Sequence, residues 1–459
     1  MQNITITVSE AGTAAVRTFA YKIQIDGILQ AKRTLTPVQT QQVLETASQY
    51  FSLQHRAAAA SARDYLPILR KGLFHLFLEA GWQDFAAMIL PGARLTVASP
   101  IAEVLQLPWE LLPLFGLLGD SDGFPVIRLP GIADGLIASS TSPAPGPLRV
   151  LFLAVEPLDY EVEEQSILKV SEGQDITLAI CENGTWEELK GKAESFRPHL
   201  VHLVGRAKVS GGIAVFSMQG PAGRADLRTA EELALALKDS GLMGIILGGR
   251  QSESPSAIHL LCQKLAESIP LAVAWNAPTS VTRPLYKALV AGQSMDQALL
   301  SVRREIVAAF AADPALASVP ALYSINDLPR IYDPQKRSAA TAVPLCRELS
   351  PLSGLTQGRA ECFVDRRRDL QQLIPALREG GAQTLIITGL GGCGKSTLAT
   401  HIARLLASAG YSVLTIYGSL HNRISSARLL EAAVGHLSAM GQETLAKSLK
   451  DPQRSVRER

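Results

Sequence analysis

At 459 residues the chain is too long for one ordinary domain, and two or three are expected. Hydrophobic residues make up 47% and charged residues 19%, a soluble globular composition with ample core. A formal net charge of +2 excludes the electrostatic footprint of a nucleic-acid binder or of a protein held on an acidic membrane surface.

The first residues, "MQNITITVSE", have neither a basic n-region nor an apolar core, so no secretory signal is read there. "NITITVSEAGTAAVRTFAYKIQID" alternates polar and apolar residues on either side of a Gly-containing turn, which predicts a β-hairpin or meander. Residues 36–92 read as helical and open on Thr36-Pro37, a good helix start. The most apolar stretch, "VLQLPWELLPLFGLLG", is interrupted by two prolines and Glu110 and reads as core, not membrane.

From Leu148 the pattern becomes α/β. Strands "LRVLFLAVEP", "DITLAICE", "HLVHLVG", "MGIILGG" and "PLAVAWNA" alternate with helices around Glu163–Lys169 and at "TWEELKGKAESF", "TAEELALALKDS" and "SAIHLLCQKLAES". A Gly-rich hairpin, "GGIAVFSMQGPAG", interrupts them. This alternation predicts a right-handed, mostly parallel, doubly wound sheet flanked by helices, with helix "SMDQALLSVRREIVAAF" covering one face. Two of its strands close on glycine and then arginine, Gly205-Arg206 and Gly249-Arg250, at the carboxyl rim where such sheets do their chemistry. Residues 1–145 thus read as a β-hairpin and helical part leading into an α/β core at 146–332.

The stretch 333–358 is rich in Pro, Ser, Thr and Gly without period and reads as a linker. Residues 359–459 form a second unit: helix "RRRDLQQLIPALREG", strand "TLIIT", a Gly-rich loop, helix "STLATHIARLLASAG" and strand "SVLTIYG". From Arg359 on, 14 Lys+Arg stand against 8 Asp+Glu, a basic balance that suits an anionic ligand as well as it suits solvated helix faces.

The Gly-rich loop, "GLGGCGKST", is Gly389-x4-Gly394-Lys395-Ser396, the full P-loop pattern in its strand–loop–helix setting. Glycines 389, 391, 392 and 394 allow backbone N–H groups to curl around phosphates at the positive end of a helix. Lys395 is expected to reach the β- and γ-phosphates, and the Ser396 hydroxyl, followed by Thr397, to meet Mg²⁺ through the nucleotide. ATP or ADP with Mg²⁺ is the implied cofactor. Cys393 reads as a small buried hydrophobe within the loop. After Gly418 no hydrophobic strand closes on Asp or Glu, so the carboxylate that hydrolysis needs is not found, and the sheet reads as incomplete. Binding is expected to be weak or conditional.

Five cysteines (Cys181, Cys262, Cys346, Cys362 and Cys393) are scattered, odd in number and without CxxC pairs. They disfavour a disulfide framework and a zinc site, and favour a reducing cytosol.

Two resemblances carry further implications. "FVDRRRDLQQL…LIITGLGGCGKSTLATHIARLL", 363–406, resembles the start of a STAND-class signalling ATPase. There a "FVGR" segment precedes the P-loop and lies over the adenine; Phe363, Val364 and Arg366 match it, and Asp365 replaces the glycine. The larger part, about residues 60–330, resembles a CHAT domain, a bacterial relative of caspases. The matching pieces are "LPWELLP" at 107–113, "LRVLFLAVEP" as first core strand, and "LYKALVAG" with its Tyr-x-x-Leu-x-x-Gly pattern. The resemblance implies a caspase-like sheet whose catalytic histidine and cysteine are replaced by Arg206 and Arg250, and in which His202 is structural. Arginine is neither base nor nucleophile, so no cysteine-protease chemistry is expected.

Three readings follow: a catalytically dead caspase-like signalling or defence scaffold fused to a nucleotide-binding module; a P-loop ATPase whose N-terminal domain only binds a partner; or an inactive truncated fragment. A protein partner and a cytoplasmic setting are expected, with oligomerisation through the NTPase module and without nucleic acid or membrane. Arg206 and Arg250 should emerge from neighbouring strands, with guanidinium groups within about 10 Å. There they either meet solvent and carboxylates such as Glu253, or grip an anion.

Overall fold

The fold is described from a computed structural model. Outside the described residues lie 13–15, 56–58, 80, 82–83, 85, 115–122, 132–141, 156–160, 172–174, 182–183, 221–223, 249–254, 276–280, 310–319, 326–329, 338–368, 371–372, 375–376, 378–383, 391, 409–410, 417, 419–422 and 451–459; all others are described. Residues 1–219 and 225–343 make one compact unit, and 344–459 with 220–224 a second.

The first unit is α/β. Its strands in chain order are β1 (Asn3–Glu10), β2 (Phe19–Ile25), β3 (Ile28–Thr34), β4 (Arg94–Ser99), β5 (Val126–Pro130), β6 (Ala144–Gly146), β7 (Leu148–Ala154) and β8 (Ile176–Cys181). Then come β9 (Leu200–Val204), β10 (Arg206–Ser210), β11 (Ile213–Gln219), β12 (Ala225–Thr229), β13 (Gly244–Gly248), β14 (Leu271–Trp275), β15 (Ala321–Ser324) and β16 (Tyr332–Arg337). Eleven of them form one sheet, in the order β3-β2-β1-β4-β5-β15-β14-β13-β9-β7-β8. From β14 to β8 every neighbouring pair is parallel, and β15 runs antiparallel to β14.

The expected N-terminal meander is β1-β2-β3, turned between β2 and β3 at Asp26-Gly27, both at positive φ. It does not stand apart. β1 pairs in parallel with β4, and β4 with β5, so the ladder runs from residue 3 across position 145 into the core. The Thr36-Pro37 helix start also holds. Helix Pro37–His55 opens on a reciprocal cap in which Gln39 N donates to Thr36 Oγ1 (3.2 Å) and Thr36 N donates to Gln39 Oε1 (3.0 Å).

Strands that are apolar throughout bury both faces, and successive residues feed two separate cores. Leu151, Leu203, Ile245 and Ala272 point to one, where helices Trp186–Phe196, Ala230–Leu237 and Pro255–Leu265 pack. Phe152, Val204, Ile246 and Val273 point to the other, under helices Glu161–Ser171, Thr282–Val290 and Met295–Ala309. The Gly-rich hairpin is real as well. β10-β11-β12 is a small antiparallel sheet turned at Gly211-Gly212, both at positive φ.

The second unit has a much smaller core, in which Leu370, Ile374, Leu398 and Ile402 are buried. Its described helices are Lys395–Ser408, Ser426–Ala439 and Glu443–Lys450. Here the sequence expectation needs correction. Of the expected strands "TLIIT" and "SVLTIYG", the described residues carry no ladder bonds and form no strand. A strand exists only through its neighbour, and these segments keep Ile386 and Leu414 exposed instead of pairing.

Candidate functional site

Numbered by chain order, strands β8-β7-β9-β13-β14 run 2-1-3-4-5, and the order reverses between β7 and β9. That reversal is the topological switch point, beyond whose carboxyl ends an open α/β sheet places its ligand crevice. Arg206 lies directly there. β9 and β13 are neighbours as expected, with Val204 opposite Gly248 and Gly205 N donating to Gly248 O (3.0 Å). Arg250 and Glu253 lie outside the described residues.

Arg206 is not at the tip of a loop, however. It is the first residue of β10, paired with Ser217, and is half-buried. The junction between β9 and β10 is tight. Val155 N donates to Val204 O (2.7 Å), and a Cβ on Gly205 would stand 2.7 Å from Cζ of the buried Phe216 ring. Glycine at 205 is thus demanded by close packing, and the switch point is filled on this side by Phe216 and Val155.

His202 points away from this rim into the second core. Its Nδ1 lies 2.9 Å from the Tyr286 hydroxyl and its Nε2 3.3 Å from Glu163 Oε1. The same carboxylate oxygen accepts from Trp275 Nε1 (3.0 Å) and Thr282 Oγ1 (3.1 Å). Burial pushes the Glu163 carboxyl up, but His202 and the Thr282 and Trp275 donors outweigh it and hold the group below its ordinary range. All five side chains are sealed from solvent, so the cluster can fix helices Glu161–Ser171 and Thr282–Val290 to the sheet but cannot meet a substrate. Sequence reading missed Glu163, Trp275 and Thr282. The Tyr-x-x-Leu-x-x-Gly pattern did contain the signal for Tyr286: the tyrosine reaches His202, Leu289 is buried in the same core, and Gly292 ends the turn at φ 78° against Pro334.

Both described cysteines of the first unit are buried, away from the β9–β10 junction. Cys181 closes β8 and is buried; Cys262 is buried on its helix, and burial pushes its thiol well up. Cys346 and Cys362 lie outside the described residues.

In the second unit the loop before helix Lys395–Ser408 turns on Gly389, Gly392 and Gly394, at φ 149°, 79° and 83°. Only glycine takes such angles readily, and within the loop Cys393 N donates to Leu390 O (3.4 Å). Lys395 folds back over this loop: its Nζ donates to Gly389 O (3.0 Å) and Leu390 O (2.6 Å) and lies 3.8 Å from Cys393 Sγ. Ser396 and Thr397 are exposed on the first turn. Cys393 is exposed too, which corrects its reading as a buried hydrophobe. Gly391, Val364 and Arg366 lie outside the described residues. Lys395 and Ser396, the residues that the P-loop expectation sets against phosphates and Mg²⁺, thus stand together at the start of this helix.

Among the described residues no group of three or more His, Cys, Asp or Glu could hold a metal ion. Nor is any described helix long and apolar enough to cross a membrane. No family model matches the chain, and no curated protein matches it.

Proposed function

We propose that this chain is a signalling or defence scaffold, in which a caspase-like α/β module without protease chemistry is coupled to a segment that binds ATP or ADP with Mg²⁺. The observation that carries the reading is the place of Arg206. It stands at the switch point of a mostly parallel sheet, where the CHAT resemblance implies a catalytic histidine, and it leads straight into β10. A permanently protonated guanidinium there cannot activate a thiol. The partner is a protein, and the nucleotide acts through the P-loop glycines, Lys395 and Ser396.

The test is calorimetric titration of the chain with ADP and Mg²⁺, alongside a peptidase assay over a mixed peptide library. The expected result is weak, saturable binding lost in Lys395→Ala, with no cleavage. Binding that survives Lys395→Ala, or proteolysis stopped by a thiol-directed inhibitor, would overturn it. Slow ATP turnover abolished by Lys395→Ala would favour the alternative of an ATPase whose N-terminal part only binds a partner.

A further inference from the structure

The long sheet has two edges, β8 and β3, and each carries a side-chain bond to its main chain, Gln30 Nε2 donating to Ile28 O (3.2 Å) within β3. At β8 the Lys192 ammonium donates to the Ile180 carbonyl, so a side chain occupies part of that edge. At β3 no further strand follows among the described residues, and five of its seven residues are exposed. An edge of this length is a template for another strand.

The side chains of β3 are sorted along its length. β2 presents Tyr21, Ile23 and Ile25 to the core, and their register partners on β3 are Arg33, Ala31 and Ile28. The other face of β2 pairs Lys22 with Lys32 and, past a register shift, Gln24 with Leu29. Both faces of β3 therefore carry an apolar residue near the Asp26-Gly27 turn, Ile28 (68% exposed) and Leu29 (55%), and a cation toward the far end, Arg33 and Lys32. A strand guarded only against pairing needs the cations and has no use for two exposed aliphatic side chains beside them.

We propose that the edge of β3 receives an extended segment of a partner protein, one with adjacent carboxylates at one end and adjacent apolar residues at the other. Main-chain pairing supplies the affinity of such strand addition, and side chains directly opposite supply its selectivity. Carboxylates would face Lys32 and Arg33, and apolar side chains Leu29 and Ile28. A second copy of this chain fits less well: laid antiparallel, it sets each pair of cations against the other's exposed aliphatic pair, and laid parallel, cation against cation.

The experiment is an anisotropy titration of the full chain with three labelled peptides. Thr-Glu-Glu-Thr-Thr-Val-Val suits antiparallel addition, its reversed sequence suits parallel addition, and Thr-Lys-Lys-Thr-Thr-Val-Val is the control. One of the two carboxylate peptides should bind saturably and the lysine peptide should not. The double variant Lys32→Glu/Arg33→Glu should lose about tenfold or more in affinity for the carboxylate peptide and gain the lysine peptide. Leu29→Thr, a mild change at an exposed site, should weaken binding in its own right should the double variant fail to fold. Failure of both carboxylate peptides to bind, or binding indifferent to these substitutions, overturns the proposal. So does a concentration-dependent dimer in sedimentation that Lys32→Glu/Arg33→Glu abolishes, since the edge would then join two copies.

Discussion

Arg128 grips Glu110 fork to fork: Nη1 to Oε1 and Nη2 to Oε2, each at 2.7 Å, with the two side chains 1% and 3% exposed. Two further donors of Arg128 go to Leu105 O (2.7 Å) and Leu107 O (3.0 Å), and Arg303 Nη2 adds a bond to Glu110 Oε1 (3.0 Å). Beside them Trp109 is buried, with Nε1 donating to Val104 O (2.7 Å). The "LPWELLP" stretch thus belongs to a buried brace between the segment 105–110, β5 and helix Met295–Ala309. Burial pushes the Glu110 carboxyl up, and the charges of Arg128 and Arg303 outweigh it, leaving the group low.

Removing one side of such a brace strands the other. Glu110→Gln leaves two buried guanidinium groups without their carboxylate and should cost about 3–5 kcal/mol. Urea unfolding at neutral pH measures it, and a loss below about 1 kcal/mol would show that the ion cluster is not buried in solution.

Acid should begin to weaken the fold above the range in which ordinary carboxylates titrate. Burial, then the charge of Arg128, pushes His259 down to about 3, with Glu110 opposing. Burial and Arg149 push His199 down to about 4. Both lie below the unfolded value of about 6.5, so the unfolded chain takes up protons that the folded one refuses. Their contribution is complete above that value and drains away as pH falls toward the folded ones. Between about pH 5.5 and 4 the two should remove up to about 2.7 kcal/mol per pH unit. Urea midpoints across that range test it. His259→Phe should roughly halve the slope, and an unchanged slope would contradict the assignment.

Gly205→Ala should destabilise the first unit by about 1–3 kcal/mol, because the new methyl meets the Phe216 ring at 2.7 Å (Cζ) and 3.2 Å (Cε1). Phe216→Leu in the same chain should recover part of that loss. Denaturation of the three variants shows the coupling; strictly additive costs would mean that the two residues do not touch.

Thiol labelling distinguishes the cysteines by burial. Iodoacetamide should modify Cys393 in the native chain and spare Cys181 and Cys262 until unfolding. ADP with Mg²⁺ should slow the reaction at Cys393, since phosphates would occupy the loop that its side chain borders. Peptide mapping reads both effects. Equal rates at Cys262 and Cys393 would refute the burial assigned here.

The sequence by itself determined the local features. Period-two alternation marks β1 and β2, apolar runs closed by glycine mark β9 and β13, and Thr36-Pro37 marks a helix start. Each is written within a few neighbouring residues, as is the glycine spacing of the loop before helix Lys395–Ser408. Only the tertiary structure decided which strands share a ladder and what the buried polar groups meet. His202 and Tyr286 are 84 residues apart in the chain, and Glu163 and Thr282 are 119 apart, so no local pattern announces either bond. The same holds for β1, whose partner β4 makes the N-terminal meander one edge of the core sheet. Arg206 makes the point within a single residue. Glycine followed by arginine reads as a strand ending on an open rim, yet a ladder with β11 and the close approach of Phe216 carry the chain on as a second strand. Pairing and packing reward residues for what lies across the fold, and that neighbour is fixed only when the whole sheet closes.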